Sequence, residues 1–275
     1  MQARHQLVLN HHHIWVKPGA DRFDINYPDE AAAVNSQIEK FSFWFKHRNR
    51  IILNTIRHFP FSGNFADIGG GNGYQTAFLS RFFASRQFFL IEPGMAGCRN
   101  AAKTGLKHIF NIEAQDFDFF KHQIGGIGLF DVLEHVDDKL FLKQLVKQCP
   151  KKCYFYITVP AYSWLWSDVD DFGRHQRRYD FDYIRKLAQD CKITLHFTSH
   201  FFFYLPPLIF LAKSLPYKLH FKKNPSEIIN SESKFHQPPL VIKKLFEKFN
   251  YWELKQIKGQ KMIPFGSSCL AVFQN

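Results

Sequence analysis

The residues from Asn64 to Gly73, with the sequence NFADIGGGNG, decide the fold. An apolar run ends here in an acid, Asp67, and a cluster of glycines leads into a helical pattern that begins near Tyr74. The glycines are Gly69, Gly70, Gly71 and Gly73. Glycine permits a tight turn and leaves no Cβ between the backbone and a ligand, while the first turn of a helix offers free amide groups. The stretch therefore predicts a strand, a ligand-binding turn and a helix at the carboxyl edge of an open α/β sheet.

Around this turn, short apolar runs alternate with helical patterns, which is typical of a parallel sheet covered by helices on both faces. We predict a Rossmann-like α/β fold with a seven-stranded, mostly parallel sheet. The predicted strands are Asn64 to Ile68, Gln87 to Ile91, Lys107 to Ile112, Gly126 to Val132, Lys152 to Thr158, Lys192 to Thr198 and Ser268 to Phe273. The predicted helices between them are Tyr74 to Ser85, Met95 to Thr104, Asp138 to Gln148 and Phe181 to Cys191.

The length of 275 residues fits one large α/β domain with additions. Residues 1–60 are predicted to form an N-terminal helical cap, because apolar residues recur on one stripe from about Ala31 to Phe59. Residues 61–199 are predicted to form the ligand-binding core, and residues 265–275 the last strand. We expect residues 200–264 to form a helical insertion, or lid, over the carboxyl edge of the sheet.

Composition limits the compartment and the partners. Five cysteines without a CxxC pair fit a reducing compartment, and the N-terminus lacks the apolar run of a secretory signal, so we expect a cytoplasmic protein. The net charge is +12, and residues 213–261 hold eleven Lys against four Glu. Such a stretch can serve an anionic membrane surface, RNA or an acidic substrate, although charge alone favours an ordinary solvated face. Because this stretch lacks Arg, the usual reader of bases, nucleic acid is not favoured as a partner.

A second acid stands at the end of the next predicted strand. Glu92, in the sequence FFLIEP, lies nineteen residues after Gly73, the distance at which a second strand brings a carboxylate to a ribose. A carboxylate can accept hydrogen bonds from both ribose hydroxyls, and such charge-assisted bonds are stronger than neutral ones. Asp67 and Glu92 together therefore predict a nucleotide-like cofactor.

The pattern DxGxGxG from Asp67 to Gly73, followed by Glu92, resembles the class I S-adenosylmethionine-dependent methyltransferases. Asp116 matches the position where this family often hydrogen-bonds the adenine amino group, and IGLFDVLEHVDD resembles a fourth-strand motif with an EH pair. The resemblance implies S-adenosylmethionine as the cofactor. It places Asp67 and the glycines at the methionine part, Glu92 at the ribose, Asp116 at the adenine, and the segment of Phe130, Asp131, Val132 and Leu133 at the floor of the site.

Each of these features has an alternative interpretation. Asp67 or Asp116 alone can cap a helix, and Glu92 alone can be a surface charge. A nicotinamide-binding Rossmann oxidoreductase fits the glycine turn less well, because its GxGxxG spacing requires glycine or alanine at position 74 or 76, where the chain has Tyr74 and Thr76. A catalytically inactive cofactor-binding homologue is a third interpretation.

The segment after the fifth predicted strand carries the candidate acceptor and catalytic residues. Its parts, YSWLWSD from Tyr162 and GRHQRRY from Gly173, resemble a bacterial subgroup of small-molecule-type methyltransferases with WxxxD and HxRRY segments, and FWFKHR from Phe43 to Arg48 matches the N-terminal helix of that subgroup. His175 is the first candidate base, since a neutral imidazole accepts a proton and Asp168 or Asp171 can orient it. The predicted catalytic residues are His175, Asp168 and His135 of the EH pair. The candidate acceptor residues are Tyr162, Trp164 and Trp166 as an apolar wall and Arg177 and Arg178 as an anion clamp.

These loop residues also have structural alternatives: a histidine bonded to a loop carbonyl, aromatics in a core, or an arginine that only pins the loop. Asp131, Glu134 and His135 are similar to the ExxEH of quinone-precursor O-methyltransferases, where a divalent metal site has been proposed, with Asp in place of the first Glu. The ligand count favours a structural turn, so no metal is predicted.

We expect methyl transfer from S-adenosylmethionine to a small or lipid-like acceptor, with oxygen as the favoured acceptor atom. The apolar stretch from Phe201 to Leu215 is too short to span a bilayer and is broken by prolines, so it permits peripheral membrane contact only. An RNA methyltransferase that uses the basic C-terminal region is the alternative.

Overall fold

The strand Asn64–Ile68 lies at the centre of a mixed sheet in the computed structural model of the protein, which describes residues 7–18, 38–39 and 41–275. Four of its five residues are buried, because helices cover both faces of the sheet. The strands are β1 (Val8–Leu9), β2 (Ile14–Val16), β3 (Asn64–Ile68), β4 (Phe88–Ile91), β5 (His108–Asn111), β6 (Ile124–Phe130), β7 (Tyr154–Pro160), β8 (Thr194–Phe201) and β9 (Ser268–Gln274).

The helices alternate with the strands through the middle of the chain. They are α1 (Phe43–His58), α2 (Tyr74–Ser80), α3 (Met95–Ala102), α4 (Asp138–Gln148), α5 (Asp168–Phe172), α6 (Phe181–Cys191), α7 (Leu205–Ile209), α8 (Leu215–Lys218), α9 (Pro225–His236) and α10 (Leu240–Lys258). A π-helical turn at Phe210–Ser214 joins α7 to α8, and short 3₁₀ turns lie at Ala114–Asp116, Leu133–His135 and Ser163–Leu165.

The strand order is β1-β2-β5-β4-β3-β6-β7-β9-β8. The strands from β2 to β7 pair in parallel, whereas β1 and β9 run antiparallel to their neighbours. The chain passes outward from β3 to β4 and β5, and then returns to the other side of β3 with β6. The connections that follow β3 and β6 therefore leave the sheet in opposite directions, and ligands of open α/β sheets bind in the crevice between such connections.

The predicted Rossmann-like α/β fold is confirmed, but the predicted count of seven strands is wrong. All seven predicted strands are present, and the described residues contain two more, β1 and β2. Ile14 of β2 pairs with Ile109 and extends the edge of the sheet beyond β5. These strands are two and three residues long, too short to show a period in the sequence.

Within the predicted N-terminal helical cap, residues 8–9 and 14–16 are not helical but form the strands β1 and β2. The predicted stripe is helical in α1, which begins after Ser42 because its Oγ accepts hydrogen bonds from the amides of Trp44 and Phe45 at 3.0 and 3.4 Å. Residues 1–6, 19–37 and 40 of the predicted cap lie outside the described residues.

The segment between β8 and β9 contains α7 to α10. A buried cluster that includes Phe43 and Ile51 of α1 and Phe246 and Ile257 of α10 holds this segment against the N-terminal helix. His47 Nε2 and Glu253 Oε2 also meet there at 2.6 Å, both fully shielded from solvent. Glu253 Oε1 accepts a further hydrogen bond from the Phe203 amide at 2.6 Å. The role of the segment as a lid stays a prediction.

Candidate cofactor and acceptor site

Asp67 is fully buried at the carboxyl end of β3. Its Oδ2 accepts a hydrogen bond from Thr76 Oγ1 of α2 at 2.5 Å, while its Oδ1 has no partner. Burial raises the pKa of Asp67 to about 7, although the hydrogen bond from Thr76 and the charge of Arg48 oppose this shift. Because Gly73 is the N-cap of α2, Asp67 does not cap that helix.

The glycine turn packs closely against β4 at Gly70 and is open at Gly71. Gly69, Gly71 and Gly73 have φ values of +68°, +52° and +74°, a region that favours glycine. A Cβ on Gly70 would lie 2.2 Å from Leu90 Cδ1, so the turn packs directly on β4. A Cβ on Gly71 would meet nothing within 4 Å. The turn thus presents bare backbone to the space over Gly71.

Glu92 joins this turn to the end of β4. Its Oε2 accepts a hydrogen bond from the Gly71 amide at 2.9 Å, and its Oε1 accepts one from the Gly94 amide at 2.6 Å. Burial raises the pKa of Glu92, while the two amides lower it. Asn111 holds the same corner through bonds to the carbonyls of Glu92 and Pro93 at 3.1 and 2.8 Å. Glu92 is thus hydrogen-bonded to the glycine turn and is not an isolated surface charge.

The other predicted cofactor residues lie along the same edge of the sheet. Asp116 follows β5 and forms an ion pair with Lys17 at 2.5 Å. Phe130 is buried, with its ring stacked 6.5 Å from that of Phe65, so it belongs to the core under the site. Asp131 accepts a hydrogen bond from Thr158 Oγ1 at 3.1 Å and is ion-paired with Arg48.

Arg48 received no role from the sequence beyond its place in the FWFKHR resemblance. In the structure its guanidinium lies 5.0 and 5.1 Å from the ring centres of Trp44 and Phe45 and contacts Asp131. Its charge partly opposes the burial that raises the pKa values of Asp67 and Glu134. In the sequence, Arg48 follows Trp44 and Phe45 by four and three residues on an amphipathic helix, which permits cation–π contacts. The ion pair of Arg48 with Asp131 has no such local signal, because the two residues are 83 positions apart.

His175 is oriented by Asp170, so the expectation that Asp168 or Asp171 orients it is wrong. His175 Nδ1 and Asp170 Oδ1 lie 2.8 Å apart. Asp168 instead accepts a bond from the Lys223 amide at 3.4 Å, and Asp171 accepts bonds from Trp166 Nε1 and Tyr217 OH, both at 2.8 Å. Successive residues of α5 point about 100° apart, which sends the three carboxylates to different neighbours.

Arg178 holds Asp170 in place. Its Nε and Nη2 donate to the two carboxylate oxygens of Asp170 at 2.7 and 3.0 Å, and its Nη1 donates to the Ala161 carbonyl at 3.2 Å. Burial alone would raise the pKa of Asp170, but the bond from His175 and the charge of Arg178 lower it to about 2. These contacts are those of an arginine that pins the loop to the end of β7, not those of a free anion clamp.

Arg177 lies apart from this pair. Its guanidinium covers the Tyr183 ring at 4.6 Å, donates to the Tyr183 hydroxyl, and lies 3.5 Å from the buried Asp138 carboxylate. Asp138 also accepts a hydrogen bond from Tyr179 OH at 2.9 Å. Arg177 therefore faces the junction of α4 and α6.

The EH turn meets the HxRRY loop. The Gln176 amide donates to the Glu134 carbonyl at 2.6 Å, and the rings of His135 and His175 lie 4.8 Å apart. Burial and the charge of His175 lower the pKa of His135 to about 4. Burial, and then the charge of Asp131, raise the pKa of Glu134, whose Oε2 is buried without a hydrogen-bond partner.

One set of potential metal ligands is found among the described residues. Ligand atoms of Glu134, His135 and His175 all lie within 4.8 Å of one another. Two imidazoles and one carboxylate are a donor set that binds divalent transition metals, and the orphaned Glu134 oxygen fits such an ion. Asp131, the first residue of the ExxEH-like motif, is instead paired with Arg48.

The predicted aromatic wall is partly assembled. The Tyr162 ring stacks on those of Trp164 and Phe265, each at 5.6 Å, and Trp164 is partly exposed. The Trp164 ring also meets the edge of Phe210 at 5.7 Å. Trp166 points away toward Asp171. The stacked layer thus lies between the loop after β7 and the helical segment that begins with α7.

No protein-family model and no curated protein matches the sequence. Solved structures do match it. A phosphoethanolamine N-methyltransferase 2 from Haemonchus contortus, solved with phosphomonomethylethanolamine and S-adenosylhomocysteine, is 13% identical with a TM-score of 0.53; the match covers 91% of this chain but only 58% of the Haemonchus chain. The plantazolicin methyltransferase BpumL, solved with S-adenosylhomocysteine, is 14% identical with a TM-score of 0.54, over 90% of this chain and 91% of the other.

A third neighbour is the geranyl diphosphate C-methyltransferase of Streptomyces coelicolor, solved with Mg²⁺, geranyl diphosphate and S-adenosylhomocysteine. It is 12% identical with a TM-score of 0.50, over 80% of this chain and 76% of the other. All three neighbours are methyltransferases. At such low identity the likeness concerns the fold, and the chain has the Rossmann-like α/β fold of S-adenosylmethionine-dependent methyltransferases.

Proposed function

We propose that the protein is an S-adenosylmethionine-dependent methyltransferase that acts on a small or lipid-like acceptor, with oxygen as the favoured acceptor atom. The observation that carries the proposal is the paired carboxylates of Asp67 and Glu92, which end neighbouring strands around a glycine turn that is open above Gly71. The spacing of this turn argues against the nicotinamide alternative. The fold shared with methyltransferases supports the same choice.

The cofactor would use groups that retain unused bonding capacity. Each Glu92 oxygen accepts one backbone amide, and a carboxylate oxygen has a second lone pair for a ribose hydroxyl. Asp67 would face the cationic methionine part, whose charge favours the ionised form of the carboxyl. We assign the adenine to Asp116, next to Lys17, as the resemblance implies.

Methyl transfer is an in-line displacement, so the protein mainly aligns two reactants. The acceptor oxygen forms a bond to the methyl carbon, the carbon–sulfur bond breaks, and its electron pair stays on sulfur to give neutral S-adenosylhomocysteine. The acceptor hydroxyl loses its proton, and we assign that proton to Nε2 of His175. Asp170 holds the other ring nitrogen and Arg178 holds Asp170, so these two are positioning residues.

A bound divalent metal is the second candidate for activating the acceptor, favoured by the grouping of Glu134, His135 and His175. These three side chains would hold the ion, and the ion would lower the pKa of a coordinated hydroxyl. His175 would then be a ligand and not a base.

The acceptor class is inferred from the aromatic wall. A stacked, partly exposed layer of three aromatic side chains, Tyr162, Trp164 and Phe265, suits an apolar acceptor. Arg178, one of the two residues predicted to bind an anionic acceptor, is instead bonded to Asp170. Two of the structural neighbours were solved with geranyl diphosphate and with phosphomonomethylethanolamine bound, which supports a small or lipid-like acceptor.

Incubation with S-adenosylmethionine labelled in the methyl group and a fractionated cell extract tests the function. We expect label in the lipid or small-molecule fraction. Label in RNA alone would contradict the acceptor class and favour the RNA alternative, while cofactor binding without label in any fraction would point to an inactive homologue.

Glu92→Gln should weaken the binding of S-adenosylhomocysteine by roughly 10- to 100-fold, because a charge-assisted hydrogen bond contributes about 1.5–3 kcal/mol. Isothermal titration calorimetry measures this change. The control is Glu113→Gln, which removes an exposed charge near the same edge and should bind as the unchanged protein does. Equal affinities for both variants would remove Glu92 from the cofactor site.

His175→Ala should leave cofactor affinity unchanged and lower kcat by about 10²- to 10⁴-fold, the usual contribution of a general base. His196→Ala, an exposed histidine on β8, is the control and should retain the full rate. Activity that survives exhaustive chelation assigns His175 the base role; activity lost on chelation and restored by a divalent transition metal assigns it the ligand role. Normal turnover of His175→Ala would leave it neither.

A further inference from the structure

The helical run from α7 to α8, with the turn after it, exposes large apolar side chains. The exposed fraction is 45% for Leu208, 62% for Leu211, 58% for Leu219 and 70% for Phe221. Leu208 and Leu211 lie about one helical turn apart, and Leu219 and Phe221 follow the end of α8. We name these four residues the apolar face. Exposed apolar side chains grouped in this way mark a surface that contacts something other than water.

The charges around the apolar face are all positive within its own segment. Residues 205–223 contain four Lys and neither Asp nor Glu. Lys213 is paired with Glu232 of α9 at 2.6 Å, but Lys218 and Lys222 are exposed beside Leu219 and Phe221. Lysine stems lie along apolar surface while their ammonium groups reach polar headgroups. Apolar side chains bordered by lysines are complementary to a bilayer with anionic lipids.

The same segment is fixed to the loop that carries the aromatic wall. Phe210, between Leu208 and Leu211, contacts Trp164 with its ring centre 5.7 Å away. Tyr217 OH donates to Asp171 at 2.8 Å, and the Lys223 amide donates to Asp168 at 3.4 Å. A molecule held at the apolar face would therefore be next to the wall formed by Tyr162, Trp164 and Phe265.

We propose that the apolar face docks on the surface of an anionic lipid bilayer, with Leu208, Leu211, Leu219 and Phe221 among the upper acyl chains and Lys218 and Lys222 at the lipid phosphates. In the part of the chain that the structure describes, every helix is too short or too polar to cross a membrane. The contact is thus peripheral. That an acceptor passes from the bilayer to the wall rests on the proposed function, whereas the docking itself does not.

Sedimentation of the full chain with vesicles, in the absence of cofactor, tests the docking. We expect binding to phosphatidylcholine vesicles that contain phosphatidylserine, weaker binding to phosphatidylcholine alone, and loss of the difference at high salt. Leu211→Ser together with Phe221→Ser should lower the partition coefficient at least about tenfold, because each side chain loses its burial in the lipid. Lys218→Glu with Lys222→Glu should lower it at least about 30-fold, and at low salt only, since each surface lysine contributes about 1 kcal/mol.

Phe120→Ser is the matched control, since Phe120 is 60% exposed but precedes β6 at the opposite, amino edge of the sheet. It should bind vesicles as the unchanged protein does. If Leu211→Ser impairs folding, as judged by thermal unfolding, Phe221→Ser alone in the turn after α8 gives the same comparison.

Three results would overturn the proposal: no binding to either vesicle, equal loss in Phe120→Ser and Phe221→Ser, or a self-association abolished by Phe221→Ser without vesicle binding. The last result would make the apolar face a contact between copies of this chain. Because no cofactor is present, a negative result leaves the proposed methyl transfer standing, and absence of methyl transfer leaves a positive vesicle result valid.

Discussion

The hydrogen bond from the Gly71 amide to Glu92 Oε2 joins the ends of two parallel strands, and the candidate site is built around it. It can form because β3 and β4 lie side by side and because Gly71 takes a φ of +52°, a conformation that glycine adopts readily. The same turn places Thr76 of α2 against Asp67. The 2.9 Å bond to Glu92 and the 2.5 Å bond from Thr76 to Asp67 together hold the turn, both carboxylates and the start of α2 relative to one another.

On the other side of the crevice, a chain of charged contacts orders the loop after β7. Arg178 binds both oxygens of Asp170, and Asp170 in turn holds His175 beside the EH turn. Asp170 is buried, so its negative charge depends on these partners. The chemistry assigned to His175, as base or as ligand, relies on this arrangement, because either role needs one ring nitrogen held and the other directed into the crevice.

The parts of the fold that the sequence predicts well have strong local signals. The helices α4 and α6 have the predicted limits, since Asp137 and Asp180 cap them through the amides of Leu140 and Tyr183. The central strands were predicted because both faces are apolar. The strands β1 and β2 lack such a signal, since they are short and owe their place to pairing with β5.

The sequence predicts the site residues that stand at strand ends. It does not predict the contacts that depend on the direction of a side chain on a helix or on residues far apart in the chain. Asp67, the glycines and Glu92 stand at strand ends that the sequence marks. Choosing among Asp168, Asp170 and Asp171 requires the side-chain directions on α5, which sequence spacing alone did not supply. The role of Arg48 depends on a contact with a residue 83 positions away. Arg178 was predicted as either a clamp or a pin, and only its three bonds distinguish these.

Isothermal titration calorimetry of the unchanged protein with S-adenosylhomocysteine and, separately, with NADH tests the central claim most directly. The glycine turn and Glu92 predict saturable binding of one S-adenosylhomocysteine per chain and no binding heat with NADH. Saturable binding of NADH together with no binding of S-adenosylhomocysteine would contradict the account and assign the crevice to a nicotinamide cofactor.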